Sequence, residues 1–87
     1  MRPLQSLLSD TIDDDVMLRD RLDRLVRWGA LPRKQADALR DAIAPALPCD
    51  VSLSSRGAPS AVYATLNKSD GKHVFRLDRD GVLRPRA

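Results

Sequence analysis

Two side chains occur once each and could do covalent chemistry together: the Cys49 thiol and the His73 imidazole. A thiol becomes a nucleophile when a base takes its proton and a third group orients that base. No third residue stands at a spacing that would orient His73, and Cys49 beside Pro48 reads as a small, half-buried apolar residue. Asp10, Asp13, Asp14 and Asp15 are the next cluster, carboxylates that could hold a hard cation. They lack the alternating acid–x–acid pattern of a calcium loop and its closing bidentate acid. Acids ahead of a helix are better explained by capping and by the helix dipole. There is no glycine-rich phosphate loop, and a single cysteine builds neither a disulfide framework nor an all-cysteine metal site. The expectation is a non-enzymatic chain with no catalytic residue, no cofactor and no metal.

Recognition is the chemistry left. Trp28 closes a helical pattern beside a turn, where it is either the last core residue of that helix or an interface anchor; the core reading is preferred. Pro32, Arg33, Lys34 and Arg40 lie on or beside the following helix, with Gln35 on the same outer face. Leu22 to Ile43 superficially resembles the DNA-binding helix–turn–helix, with Gly29 at the turn. That motif wants a small residue four before the glycine, where Leu25 stands, and apolar residues six and nine after it, where Gln35 and Ala38 stand. A plain antiparallel pair of helices fits better. A second surface, with Tyr63, Arg76 and Arg84, is expected on the open face of a sheet. One tyrosine without an aromatic partner is not the stacking platform of a single-strand binder.

The elements that must position these residues follow from periodicity. Leu4, Leu7 and Leu8 suggest a short helix within Met1–Thr11. Asp14 to Trp28 is the best helix, with Leu18, Leu22, Leu25 and Val26 as its buried stripe and Asp15–Arg19, Asp20–Arg24 and Asp23–Arg27 as i,i+4 pairs. Gly29 stops it, and Pro32 starts a helix that runs to Ala44, with Ala36, Leu39 and Ile43 inward. Val51 and Leu53 alternate with polar residues as in a half-buried strand, and Ser55–Ser60 reads as a loop. Ala61 to Asp78 is then expected to be a β-hairpin closed by Asp70-Gly71 in a type I′ turn. That register sets Leu66 opposite Phe75 and Ala64 opposite Leu77, sorting Val62, Ala64, Leu66, Phe75 and Leu77 onto one face. A three-residue loop, Arg79-Asp80-Gly81, would set Leu77 opposite Leu83 in a last short strand ended by Pro85.

The predicted fold is α+β: N-terminal helices, including an antiparallel helical hairpin, packed on one face of a three- to four-stranded antiparallel β-meander. Residues 1–87 are read as one small domain, with 1–48 helical and 49–87 the meander. An apolar fraction of 43% against 31% charged argues for a folded globule, and no apolar run approaches the roughly 20 residues of a membrane span. The first residues lack the apolar core of a secretory signal, so a cytoplasmic protein is expected. The net charge of +3 sits in residues 50–87, which hold seven basic and four acidic residues; solubility accounts for that surplus, and a polyanion partner is also compatible with it. All twelve acids are Asp, a bias with no functional account.

These readings converge on a small regulatory or adaptor protein that binds another protein, with homodimerisation through the same surfaces as an addition. The alternative is a nucleic-acid binder using the basic helix 32–44 and the basic sheet and C-terminal face. The candidate partner-binding residues are Trp28, Pro32, Arg33, Lys34, Arg40, Tyr63, Arg76 and Arg84.

Overall fold

The computed structural model describes residues 5–56 and 61–85. In chain order they form β1 (Gln5–Ile12), α1 (Asp15–Arg27), α2 (Arg33–Ile43), a single 3-10 turn (Ala44–Ala46), β2 (Cys49–Ser55), β3 (Val62–Lys68), β4 (Gly71–Leu77) and β5 (Leu83–Pro85). The fold is α+β, with two helices and one antiparallel sheet of five strands in the order β1-β2-β3-β4-β5. Both helices precede the last four strands and follow the first.

That first strand corrects the expected N-terminal helix. Residues 1–4 lie outside the described residues, but Gln5–Ile12 pairs with β2 along its length, from Gln5 opposite Ser55 to Ile12 opposite Cys49. The expected split at residue 48, helices before it and sheet after it, fails for the same reason, and the strand count rises from three or four to five. The Leu7-Leu8 doublet imitates helical spacing. In the strand it is accommodated by a bulge between Ser6 and Leu8, which slips the register by one residue. As a result Ser6, Ser9 and Thr11 share a face with Ser54, Ser52 and Asp50, while Leu8, Asp10 and Ile12 face the helices.

The expected central hairpin is present, but its turn is displaced. Lys68 pairs with Gly71, so Ser69 and Asp70 are the two turn residues; Leu66 then faces His73, Ala64 faces Phe75 and Val62 faces Leu77. Neither Ser69 nor Asp70 has positive φ, which rules out a type I′ turn; Gly71 carries it instead, at 142°, as the first residue of β4. Every partner moves by two positions, an even number, so the sorting of faces survives. Val62, Ala64, Leu66, Phe75 and Leu77 are all buried. The second connection is as expected. Leu77 faces Leu83, Gly81 has φ 84°, and the Asp78 N–H donates to the Val82 carbonyl at 2.9 Å. Of the expected loop at Ser55–Ser60, residues 57–60 lie outside the described residues, and Ser55 ends β2.

One core cluster joins Leu18, Leu22 and Leu25 of α1 and Ala36, Leu39 and Ile43 of α2 to the inward rows of the strands. Val26, expected in the stripe, is only partly buried. Asp14 caps α1, its Oδ1 accepting the Met17 N–H at 2.8 Å. The C-terminus closes as a Schellman motif: Gly29, at φ 76°, donates to Val26 O and Ala30 donates to Leu25 O.

Candidate functional site

The thiol–imidazole pair does not form. Cys49 lies on β2 and His73 on β4, with β3 between them and Cys49 two residues along from the Val51 that shares the row of His73, which places the two residues about 12 Å apart. Burial pushes the Cys49 thiol up, the opposite of an activated nucleophile, and Asp50 adds to this against the opposing Lys68 charge. The aspartates of the N-terminal cluster are split among separate tasks. Asp10 pairs with Arg21 of α1 at 3.1 Å, Asp14 caps the helix, and Asp15 accepts both prongs of the Arg40 fork, at 3.1 and 2.9 Å. Among the described residues no three Cys, His or Asp side chains converge as metal ligands.

The arginines assigned to partner binding are occupied. Of the expected pairs within α1 only Asp20–Arg24 is made, at 3.3 Å. Asp15 and Asp23 reach across to α2 instead, Asp15 to Arg40 and Asp23 to Arg33 at 2.8 Å. Those hydrogen bonds hold the Asp15 and Asp23 carboxyls below the ordinary carboxylate range and the Arg40 and Arg33 guanidiniums above theirs. On the sheet, Asp78 takes Arg84 on Oδ2 at 2.8 Å and Arg76 on Oδ1 at 2.8 Å, which lowers its pKa in turn, Arg84 first. Lys34 is exposed, and its aliphatic stem passes over Gly81, with Cγ 3.3 Å from where a Cβ would stand.

These lowered carboxyl pKa values predict an acid-labile fold. A carboxyl whose folded pKa lies below its unfolded value stabilises fully above the unfolded value, near 3.9, and ceases to as pH falls through the folded one. The thermal midpoint is therefore expected to be level near neutrality and to fall steadily once pH drops below about 4. Asp78→Asn should lower the midpoint at neutral pH and flatten the acid slope. Differential scanning calorimetry across that range, with and without added salt, is the measurement; the loss is modest because water screens these exposed pairs.

The candidate residues fall into separate groups. Tyr63, Arg76 and Arg84 form one row across β3, β4 and β5, on the sheet face turned away from the helices, with Ser54 beside them. Trp28, Pro32 and Arg33 gather at the α1–α2 corner, while Arg40 lies at the far end of α2. The basic helix and the basic sheet face therefore sit on opposite sides of the molecule. Gln35, expected on the outer face of α2, is 1% exposed and donates from Nε2 to the Asp78 carbonyl at 3.0 Å.

Trp28 is the other correction: it is 74% exposed, not core. Leu18, Leu22 and Leu25 are spaced by four and three, and another step of three reaches Trp28. The helix ends at Arg27, however, and the chain turns at Gly29 before the stripe can continue. Leu31, 2% exposed, takes the core position instead.

Sequence reasoning missed an apolar groove where the sheet runs past the end of α2. Ala42, Pro45, Ala46, Leu66, Phe75 and Leu83 line it with Lys68 and His73, and it is an open depression of about 310 Å³. A notch lined by Lys72, His73, Val74, Phe75, Leu83 and Pro85 adjoins it along β4. The signal was a mismatch of lengths: β4 has seven residues and β5 three, so the far half of β4 keeps a bare edge among the described residues. No protein-family model, curated protein or solved structure matches this chain.

Proposed function

We propose that this chain is a small non-enzymatic regulatory or adaptor protein that works by docking another protein. The observation that carries this reading is the contrast between its charged and apolar surfaces. Arg33, Arg40, Arg76 and Arg84, the arginines that would meet phosphates beside Lys34, are each bound to an aspartate. Trp28 and Leu83, by contrast, stand 74% and 47% exposed. A tryptophan in water forgoes a large favourable burial, and such residues dominate the energetics of protein interfaces. Gln35 points into the core, which removes it from any recognition surface on α2. Asp15–Arg40 and Asp23–Arg33 tie both ends of α1 to α2, which suits a plain antiparallel helical hairpin better than the splayed helices of a DNA reader.

Trp28→Ala tests the reading twice. Unfolding stability should change by no more than about 0.5 kcal/mol, as for a surface residue. A core tryptophan would instead cost about 3–5 kcal/mol. Affinity capture from the native cell extract should recover a protein with the wild type and lose most of it with Trp28→Ala. Capture of no protein, together with duplex or single-stranded probes binding at low salt and releasing steeply as salt rises, would replace this reading with nucleic-acid binding.

A further inference from the structure

The geometry points to β4 as the acceptor of an extra strand: an extended segment of another protein, apolar at alternate positions and acidic between them, adds to the bare edge at 71–74 and seats its apolar side chains in the groove below. This rests on the protein-docking reading and gives it a partner chemistry. Three observations meet at one place. First, β5 pairs with Phe75, Arg76 and Leu77, and its described residues end at Pro85, opposite Phe75. Among the described residues, Gly71 to Val74 are thus hydrogen-bonded to β3 on one side and bare of a strand on the other.

Second, the two ends of the sheet are treated differently. β1 is also an edge, but it carries a bulge and turns the charged Asp10 toward the helix side, two devices that discourage a further strand. The 71–74 edge has neither a bulge nor an inward acid. Its inward residue, His73, is itself exposed on the rim of the groove. Successive side chains of an added strand alternate between faces, so every second one would fall over Ala42, Pro45, Ala46, Leu66, Phe75 and Leu83.

Third, the charged side chains that line the site are lysines. Lys68 lines the groove and Lys72 the notch, and no carboxylate among the described residues lines either one. The nearest acid of the hairpin tip is Asp70, 3.9 Å from His73 and turned to solvent. An acidic segment is favoured over a basic one, and a second copy of this basic chain is disfavoured.

The probe is a fluorescein-labelled peptide alternating isoleucine with glutamate, compared with an isoleucine–lysine peptide and with a proline-interrupted version of the first. The first should bind, and the other two should not. Lys72→Glu, an exposed change that leaves the fold intact, should weaken binding roughly five- to tenfold by fluorescence anisotropy at low salt. Amide exchange within 71–74 should slow on binding, with shift changes confined to β4, β5 and the end of α2. Failure of the isoleucine–glutamate peptide to bind overturns the proposal, as does equal binding of the proline version or an unchanged affinity in Lys72→Glu. Self-association of the chain through this edge, seen by sedimentation, overturns it too. If the shifts gather around Trp28 instead, strand addition fails while the docking reading stands. If the wild type captures no protein at all, the docking reading fails as well, so the two failures are told apart.

Discussion

Replacing Ile12 with alanine is expected to destabilise the fold by about 2–5 kcal/mol, the range for truncating a large aliphatic side chain in a closed core. Ile12 is fully buried, opposite Cys49, at the point where β1 ends and the chain turns into α1. It therefore packs in the layer between sheet and helices, and Leu18, Leu22 and Ile43 of the same core cluster are all nearly inaccessible, so the close-packed core has little room to relax into a cavity. For a domain of this length such a loss is a large fraction of a total stability of roughly 5–15 kcal/mol. The thermal midpoint should fall by at least roughly 8 °C. Ser9→Ala, on the outer face of the same strand, should stay within about 0.5 kcal/mol. Urea titrations of the two variants beside the wild type are the measurement. If Ile12→Ala unfolds with the wild type, β1 does not belong to the sheet.

The contrast between those two substitutions also shows how much of β1 was legible. Leu8-Ser9-Asp10-Thr11-Ile12 alternates as a strand should, except that a charge stands at one inward position and a leucine doublet precedes it. Both exceptions have physical resolutions that need the third dimension. The inward Asp10 is tolerated because Arg21, eleven residues away on α1, comes down to meet it, and the doublet because a bulge absorbs one residue. Neither an ion pair between elements nor a bulge leaves a local mark, so the helical spacing of Leu4, Leu7 and Leu8 dominates the local pattern and loses in the fold.

The remainder of the sheet was legible to the extent that parity decides it. Which residues of β3 and β4 face the core depends on period-2 alternation alone, and that is correct for all five apolar positions. Which residue faces which depends on the turn, where Asp70-Gly71 matched a two-residue type I′ loop. The chain places the glycine one position later, where its positive φ serves the start of β4. The helical half repeats the pattern. Capping by the acidic run, the stop at Gly29 and the leucine, alanine and isoleucine positions of the inward stripes are local and were readable, whereas the burial of Gln35 and the choice of Arg40 and Arg33 over nearer arginines by Asp15 and Asp23 are tertiary. The candidate docking groove belongs to the unreadable class, because it exists only where α2, the 3-10 turn and the sheet stop short of one another.

Gln35→Leu should cost about 1–3 kcal/mol, although leucine forms helix as well as glutamine does and matches the buried surroundings in polarity. The reason lies in the loop that Gln35 holds. Its Nε2 donates to the Asp78 carbonyl, which also accepts the Gly81 N–H at 2.8 Å, so the side chain clamps the β4–β5 connection onto the start of α2. Lys34 lies over Gly81 from the same turn of helix, and the Asp78 carboxylate grips Arg76 and Arg84. Leucine removes the donor and turns one side of a polar carbonyl toward hydrocarbon, and the neighbouring contacts cannot replace that bond. The loss should be local as well as global: amides of 78–82 should exchange faster in Gln35→Leu than the shift in overall stability accounts for, while those of β2 and β3 follow it. Had Gln35 lain on the outer face of α2, as its place beside Arg33 and Lys34 suggests, the same substitution would stay within about 0.5 kcal/mol and leave the loop amides unchanged. Chemical denaturation with residue-resolved exchange separates the two outcomes, and the second would mean that α2 is rotated about its axis and the β4–β5 loop is not clamped by it.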